Sequence, residues 1–346
     1  MWILTVRDLQ WRRRRFAIAV ATTGLVLALA LLLAGVSASF ENEIHRTVDS
    51  FGADRWVVPA QSFGPFTGPS AFPATRAEAI RALPGVRAAS PVAILRATTT
   101  TPRRQNLEVI GAVPGGVGPA RGAAKELSNP RAAIVDRSLG LDLGDELRLN
   151  GQSFRVARVT KGNTYFAGVP TVVVSLASAQ RLAFDGRPLA TAVVTDGIPQ
   201  TSPAGMTTLQ PGEVATDLGR PVAHAKDTIA MIRWLLWAVA GAIIGAIVYL
   251  STLERTSEFA VLKAIGVETR TLAFGLVAQS VLLAVVAAAV ALVLEAAMAP
   301  ASAMSVEIGT PTYLLLPLLA AAVGVVASAS GLRRALRTDP ALAFGG

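Results

Sequence analysis

The chain has 346 residues, of which only 16% are charged, and its mean hydropathy is +0.50. A sequence this apolar does not belong to a single soluble domain. The formal net charge of +9 is carried largely by arginines beside apolar segments, which favours contact with a lipid bilayer and argues against a nucleic-acid partner.

Four segments are apolar over the roughly 20 residues that a bilayer crossing requires. These predicted spans are residues 16–38, 229–250, 271–294 and 313–332. The first could be mistaken for a secretory signal, because Val36-Ser37-Ala38 would serve as its cleavage site. Its apolar stretch is longer than the about 7–15 residues of a signal core, so we predict an uncleaved anchor.

Basic residues beside the spans predict the topology. Arginines at 12–15 precede the first span and others at 333–337 follow the fourth, which indicates that both termini are cytoplasmic. We therefore expect a multi-pass protein of the cell membrane. It would begin with an amphipathic cytoplasmic segment (residues 1–15) and end with a cytoplasmic tail (residues 333–346).

The connectors between the spans follow from this topology. Residues 251–270 form a cytoplasmic loop with basic side chains, because such residues resist translocation. The short connector of residues 295–312 carries no Lys or Arg, as a loop outside the membrane should. Residues 39–228 must then lie outside the cytoplasm.

The segment 39–228 has the pattern of an α+β domain, because short strand-like runs alternate with helical ones. Predicted strands are residues 55–58, 92–100, 106–113, 132–135, 146–149, 154–160, 171–175 and 191–195, and predicted helices are 75–83 and 178–184. Asn150-Gly151 predicts a hairpin turn. We place the boundary between a mixed lobe and a β-rich lobe near residues 114–128. The chain has no cysteine, so this domain depends on its apolar core rather than on disulfides.

No arrangement of side chains predicts catalysis. The two histidines, His45 and His224, have no second ligand at metal-binding spacing. Asp142 and Asp145 lie in a turn, where aspartate favours local hydrogen bonds. A phosphate-binding G-x-x-x-x-G-K-[ST] loop is absent from the sequence. We therefore expect a non-catalytic subunit with no metal site and no cofactor of its own.

The loop at 251–270 has the pattern of a short helix. Phe259, Leu262 and Ile265 recur every three residues, and Gly266 stands where a helix would end. A compact helix with an apolar stripe in the cytoplasm predicts a docking surface for a partner. The alternative is an ordinary turn between two spans.

The run at residues 257–267, S-E-F-A-V-L-K-A-I-G-V, resembles the signature of the FtsX/MacB-like (type VII) permeases of ABC transporters. In that family a Glu, a hydrophobic pair, a basic residue and Ala-x-Gly precede the third span. Residues 334–343 are similar to the family's ending, and residues 134–145 to a segment of its outer domain. The resemblance implies that ATPase coupling falls on Glu258, Phe259, Leu262, Lys263, Ile265, Gly266 and Val267.

The fold and function that the resemblance implies are those of a permease subunit. Four transmembrane helices would carry an extracytoplasmic α+β domain of two lobes between the first two spans. Two copies of a separate ATPase would bind ATP and Mg²⁺, and a second copy of this chain would complete the assembly. Closure of the ATPases would move the helix at 258–267 and, through the second span, the outside domain, for export or extraction of a substrate.

The same architecture implies an alternative function, that of an FtsX-like regulator that transmits force to cell-wall hydrolases. A periplasmic adaptor or a cell-wall hydrolase would then be a further partner. The size of the insert favours export. A membrane-anchored enzyme or sensor would leave the loop motif unexplained.

Three residues of the spans suggest helix packing. Gly241 and Gly245 form G-x-x-x-G, which permits close contact between helices. Gln279 stands where the family often has Glu, and its amide could hydrogen-bond a neighbouring helix for about 1 kcal/mol. Glu295 falls near the outer end of the third span, where we expect water to reach it.

Overall fold

The computed structural model describes residues 13–68, 70–162, 164–165, 168–298 and 310–336. They divide into two compact units. The first, called here the membrane unit, is drawn from Met1–Ser39 and Ala225–Gly346, and the second, the inserted domain, is Phe40–His224. The predicted segments 1–15, 295–312 and 333–346 lie largely outside the described residues.

The chain alternates long helices with a block of strands. The helices are α1 (Arg13–Asp49), α2 (Arg76–Arg81), α3 (Leu176–Ala183), α4 (Pro211–Glu254), α5 (Thr256–Ala264), α6 (Thr269–Met298) and α7 (Thr310–Leu336). The strands are β1 (Arg55–Pro59), β2 (Phe72–Pro73), β3 (Val86–Thr99), β4 (Gln105–Ala112), β5 (Ala132–Asp136), β6 (Glu146–Leu149), β7 (Gln152–Thr160), β8 (Thr164–Tyr165), β9 (Val169–Ser175), β10 (Leu189–Ala190), β11 (Ala192–Gly197) and β12 (Met206–Leu209).

Three of the described helices, α1, α4 and α6, are long and apolar enough to cross a membrane. They contain the first three predicted spans, and α1 and α4 also continue into the inserted domain, as residues 40–49 and 211–224. The fourth predicted span coincides with α7, whose described apolar part, Leu315–Ala329, is shorter. The structure therefore supports three spans, and the fourth stays a prediction.

The membrane unit packs around α6, which presents small side chains to its neighbours. Its buried residues recur every three to four positions, as a helix with one packed face requires, and they are Leu272, Leu276, Ser280, Leu283, Ala284, Ala287, Ala288, Ala291 and Glu295. Gly24 of α1 and Gly324 of α7 approach this face closely. A Cβ at Gly24 would lie 3.0 Å from Val290 Cγ1, and one at Gly324 would lie 2.9 Å from the Ser280 carbonyl oxygen. Small residues thus let the backbones come together, as is common between membrane helices.

The inserted domain is built on one ten-stranded sheet in the order β12-β1-β11-β3-β4-β9-β5-β7-β6, with β8 paired to β9. An additional pairing of Thr99 in β3 with Leu149 in β6 closes six of these strands into a ring. Most neighbours run antiparallel, while β4 pairs with β9 and β5 with β7 in parallel. These six strands are called here the strand ring and the rest of the inserted domain the mixed lobe, while the predicted lobe boundary near residues 114–128 stays a prediction.

The long strand β3 serves two cores because alternate side chains point to opposite faces. Ala93 and Ala97 pack inside the strand ring together with residues of the other ring strands. Val92 and Ile94 pack on the other face, in a cluster that includes Ile44 from the end of α1 and Leu218 from the start of α4. One strand therefore joins the mixed lobe to the strand ring.

The sequence-based elements of the inserted domain are confirmed where the structure describes them. Each of the predicted strands and both predicted helices overlap an observed element, and Asn150 and Gly151 both have positive φ, of 45° and 80°, as a type I′ hairpin turn needs. The sequence missed β12 and the three two-residue strands. Residues 114–128 connect β4 to β5 and bury Ala120, Ala123 and Leu127 on the outer face of the ring.

Gly324→Ala tests the close packing of the membrane unit. The added Cβ would meet backbone atoms of α6, so the helices must separate, and we expect a loss of about 1–3 kcal/mol in the free energy of unfolding. Thermal unfolding of the purified chain in detergent, followed by tryptophan fluorescence, measures the effect. Gly275→Ala is the control because a Cβ there has open space, and it should leave the melting temperature unchanged or raise it.

Candidate functional site

Helix α5 follows α4 after a single residue, Arg255, and ends in a Schellman motif. The Val267 N–H donates to the Leu262 carbonyl oxygen at 2.9 Å, and the Gly266 N–H donates to the Lys263 carbonyl oxygen at 3.1 Å. Gly266 has a φ of +94°, which glycine adopts without a steric cost. The sequence prediction of a short helix ended by Gly266 is therefore confirmed.

The helix has two faces of different character. Phe259 is 5% exposed and belongs to the core of the membrane unit, with Leu262 and Val267 packed against the same core. On the opposite face, Val261 is 48% and Ile265 is 71% exposed. The inner face thus fixes α5 to the membrane helices, while the outer face presents apolar side chains to its surroundings.

Polar contacts hold the first turn of α5. The Arg255 Nε donates to the Glu258 carboxylate at 2.8 Å, and the Arg255 guanidinium lies 5.6 Å from the centre of the Phe259 ring. The ion pair is partly exposed, so it contributes only about 0.3–0.5 kcal/mol. Its effect is to fix Glu258 at the edge of the outer face.

The structure separates the residues that the sequence grouped as one apolar stripe. Phe259 and Leu262 face the core, Ile265 faces outward, and Lys263 is half-buried. Val261 was missed, although its spacing of four residues from Ile265 is the signal that places both on one helix face. The ATPase-coupling role of Glu258, Phe259, Leu262, Lys263, Ile265, Gly266 and Val267 stays a prediction.

The candidate packing residues of the spans lie inside the membrane unit. A Cβ on Gly241 would lie 3.2 Å from Val323 Cγ1 of α7, and Gly245 is buried one turn further along α4. Gln279 is half-buried on α6. The expectation for Glu295 is wrong, because its side chain is buried against the neighbouring helices.

The described part of the chain gives no evidence for a metal site. Those residues contain no group of three or more His, Cys, Asp and Glu side chains that could hold a metal ion. His45 lies in α1 and His224 in α4, each within a helix that continues through a predicted span. The site that the structure offers is a surface, the outer face of α5.

Family models match almost the whole chain. One described as the MacB-like periplasmic core domain matches residues 16–207, and one described as the FtsX-like permease C-terminal matches residues 230–340. Uncharacterized ABC transporter permeases of Mycobacterium tuberculosis and Mycobacterium bovis are 39% identical to this chain over 348 residues, with all of each chain covered. The chain belongs to the FtsX/MacB-like ABC transporter permeases. A further Mycobacterium tuberculosis permease is 37% identical over 351 residues, again over the full length of both.

Two of the solved structures that are similar to part of this chain are transporter domains. One is the extracellular domain of the noncanonic ABC-type transporter YknZ from Gram-positive bacteria. The match covers 46% of this chain and 99% of that domain, with 14% identity and a TM-score of 0.32. Another is the periplasmic region of MacB from Actinobacillus actinomycetemcomitans. This match covers 51% of this chain and 97% of that region, with 8% identity and a TM-score of 0.36.

The inserted domain of the permease contains a buried acid, Glu108, on β4. Burial raises the pKa of Glu108 to about 8, and the positive charge of Arg96, whose Nε is 3.9 Å from the carboxylate, opposes that rise. Arg96 also donates to the hydroxyl of the buried Tyr165, whose pKa is raised to about 12 by burial. Glu108 is therefore largely protonated at neutral pH.

Glu108→Gln tests this assignment through the pH dependence of stability. Because the pKa in the folded chain lies above the usual value near 4.5, the stabilisation by Glu108 is complete below pH 4.5 and is lost as the pH rises to about 8. The loss is at most about 1.4 kcal/mol per pH unit in that window. The variant should lack this component when the melting temperatures of the two proteins are compared from pH 5 to pH 8.5.

Glu146→Gln is the control for this comparison. A hydrogen bond from Ser153 and the charge of Arg148 lower the pKa of Glu146, so that group stays ionised throughout the window. Its replacement should leave the pH profile parallel to that of the wild type. A Glu108→Gln profile that is also parallel would contradict the raised pKa.

Proposed function

We propose that this permease is the membrane subunit of an ABC exporter with four spans, α7 providing the fourth. The basic residues that flank the spans support cytoplasmic termini and an extracytoplasmic inserted domain in the cell membrane. The family itself consists of non-catalytic membrane subunits. ATP and Mg²⁺ are then bound by a separate ATPase, of which two copies face two copies of this chain.

The observation that carries the proposal is the two-faced packing of α5. An ATPase groove that receives Val261 and Ile265 would act on a helix whose opposite face is fixed by Phe259 in the core of the membrane unit. Apolar contact on one side and core packing on the other allow the short helix to pass force without deforming, because packed cores resist compression. Glu258 and its ion pair with Arg255 add charge at the edge of this contact.

Movement of α5 would be passed to the inserted domain through α4. That helix is continuous from Pro211 to Glu254 and is joined to α5 through Arg255. The inserted domain, which occupies Phe40–His224, is large enough to engage a substrate for export or extraction. No feature of the described residues favours the alternative of an FtsX-like regulator of cell-wall hydrolases, and an adaptor or hydrolase partner would be revealed by co-purification.

Val261→Asp combined with Ile265→Asp tests the docking surface. Two charges in an apolar contact should prevent the ATPase from co-purifying with the permease, since each unpaired carboxylate would lose its hydration on docking. The measurement is the amount of ATPase recovered with the tagged permease, together with ATP hydrolysis by the complex. Val261→Thr, nearly the same in shape, is the matched control and should retain the ATPase.

Phe259→Ala separates docking from anchoring. It removes a buried ring from the membrane unit and should lower the free energy of unfolding by about 3–5 kcal/mol, and with it the melting temperature, while leaving the outer face of α5 unchanged.

Normal recovery of the ATPase with the Val261→Asp, Ile265→Asp variant would overturn the assignment of the docking surface to the outer face of α5.

Single cysteines test the proposed orientation, because the chain has no native cysteine. Arg104→Cys and Ser257→Cys both replace exposed residues, the first in the inserted domain and the second on α5. A membrane-impermeant maleimide added to intact cells should label the first and should label the second only after the membrane is permeabilised. Labelling of Ser257→Cys in sealed cells would refute a cytoplasmic α5.

A further inference from the structure

Two buried carboxylates stand on the parts of α1 and α4 that belong to the inserted domain. Glu43 of α1 is 8% exposed, and Asp217 of α4 is 1% exposed. Burial of a carboxylate is unfavourable unless hydrogen-bond donors surround it. In both cases donors come from irregular segments between strands, and not from the helix that carries the acid.

Asp217 holds the segment of residues 60–68 against α4. Its carboxylate accepts hydrogen bonds from the Phe66 N–H, at 3.0 Å, and from the Thr67 hydroxyl. The Nε of Arg220 is 3.9 Å from the same carboxylate. Gly64 lies so close that a Cβ at this position would overlap the Asp217 side chain. The segment is therefore fastened to the helix through its backbone as well as through a side chain.

Glu43 and Thr47 of α1 hold the backbone of two residues that flank Tyr165, namely Gly168 and Thr164. The Glu43 carboxylate accepts a hydrogen bond from the Gly168 N–H at 3.0 Å. One turn further along α1, the Thr47 hydroxyl donates to the Thr164 carbonyl oxygen at 3.0 Å. Each of the two helices is therefore hydrogen-bonded to backbone atoms of a connecting segment.

The two gripped segments meet each other and the strand ring. The rings of Phe66 and Tyr165, one from each segment, have centroids 5.8 Å apart. Tyr165 accepts a hydrogen bond from Arg96 of β3, and the Arg96 Nε lies 3.9 Å from the carboxyl group of Glu108 on β4. A continuous set of contacts therefore leads from the helix ends, through the two segments, to strands of the ring.

We infer that Glu43 and Asp217 are positioning residues through which α1 and α4 carry movement to the strand ring. The inference rests on the proposed function, since it assumes that ATP binding moves these helices. Hydrogen bonds from backbone N–H groups to a side-chain oxygen are directional, so the bonded backbone should move together with the helix that carries the acid.

The test measures movement at the helix end and at the ring separately. In the cysteine-free chain, Thr216→Cys reports on α4 beside the grip, and Arg104→Cys reports on the ring end of β3; both residues are exposed. Each spin-labelled permease is assembled with its ATPase, and the distance between the two copies of the label is measured by pulsed electron resonance. The measurements are made without nucleotide and with a non-hydrolysable ATP analogue.

The expected result is a nucleotide-dependent shift at both positions in the otherwise unaltered chain. Asp217→Ala and Glu43→Ala, which remove the acceptor oxygens, should each keep the shift at Thr216→Cys and lose the shift at Arg104→Cys, while ATPase recovery is unchanged. Thr67→Ala, which removes one hydroxyl donor to Asp217, should reduce the ring shift in part. Asp227→Ala is the matched control, because that carboxylate is exposed on the same helix.

The remaining outcomes contradict one claim or the other. If the ring shift persists in Asp217→Ala and in Glu43→Ala, or if the helix shift disappears together with the ring shift, these residues do not link helix to ring and the inference is overturned. If neither position shifts in the unaltered complex, or if no ATPase binds, the proposed function fails instead. A variant that does not fold leaves the other two to decide the result.

Discussion

Close approach of backbones along α6 is the contact on which the membrane unit depends. Alanines at 284, 287, 288 and 291 leave room for neighbouring helices, and Gly24 and Gly324 bring α1 and α7 to within van der Waals distance of that face. In lipid there is little hydrophobic gain from burying one apolar side chain against another, so packing and small residues must hold the helices together. The inner face of α5 is fixed because Phe259 enters this same core.

The inserted domain meets a different requirement, since it has no disulfide and must join two lobes. It does so by sharing strand β3 between two cores, so that a single run of alternating residues supports both the strand ring and the mixed lobe. Polar groups are then placed where segments without regular structure have to be held. The buried acids Glu43, Asp217 and Glu108 all lie on the face of the sheet that carries the helix ends.

The two units thus use opposite chemistry for attachment. Helix α5 is held by apolar packing against the membrane helices and leaves the apolar side chains of Val261 and Ile265 exposed on its outer face. The segments at 60–68 and around Tyr165 are held by charge-assisted hydrogen bonds that specify one geometry.

The sequence by itself determined the class of the protein and most of its elements. Apolar runs of sufficient length, basic flanks and alternating strands are local signals, and so is the hairpin at Asn150-Gly151, because its turn needs positive φ at both residues. Gly266 predicted the end of α5 because a residue that ends a helix in this way also needs a positive φ. The motif at residues 257–267 pointed to the permease family, which full-length relatives then established.

Only the tertiary structure decided which residues share an environment. A spacing of three residues placed Phe259, Leu262 and Ile265 together, but Phe259 is buried, Leu262 is partly buried against the same core, and Val261 and Ile265 are exposed. Ring closure depends on the pairing of Thr99 with Leu149, and the grip of Asp217 depends on Phe66 and Thr67, far away along the chain. Contacts at such separations leave no periodic signal, because each partner is locally an ordinary residue of a helix, strand or loop.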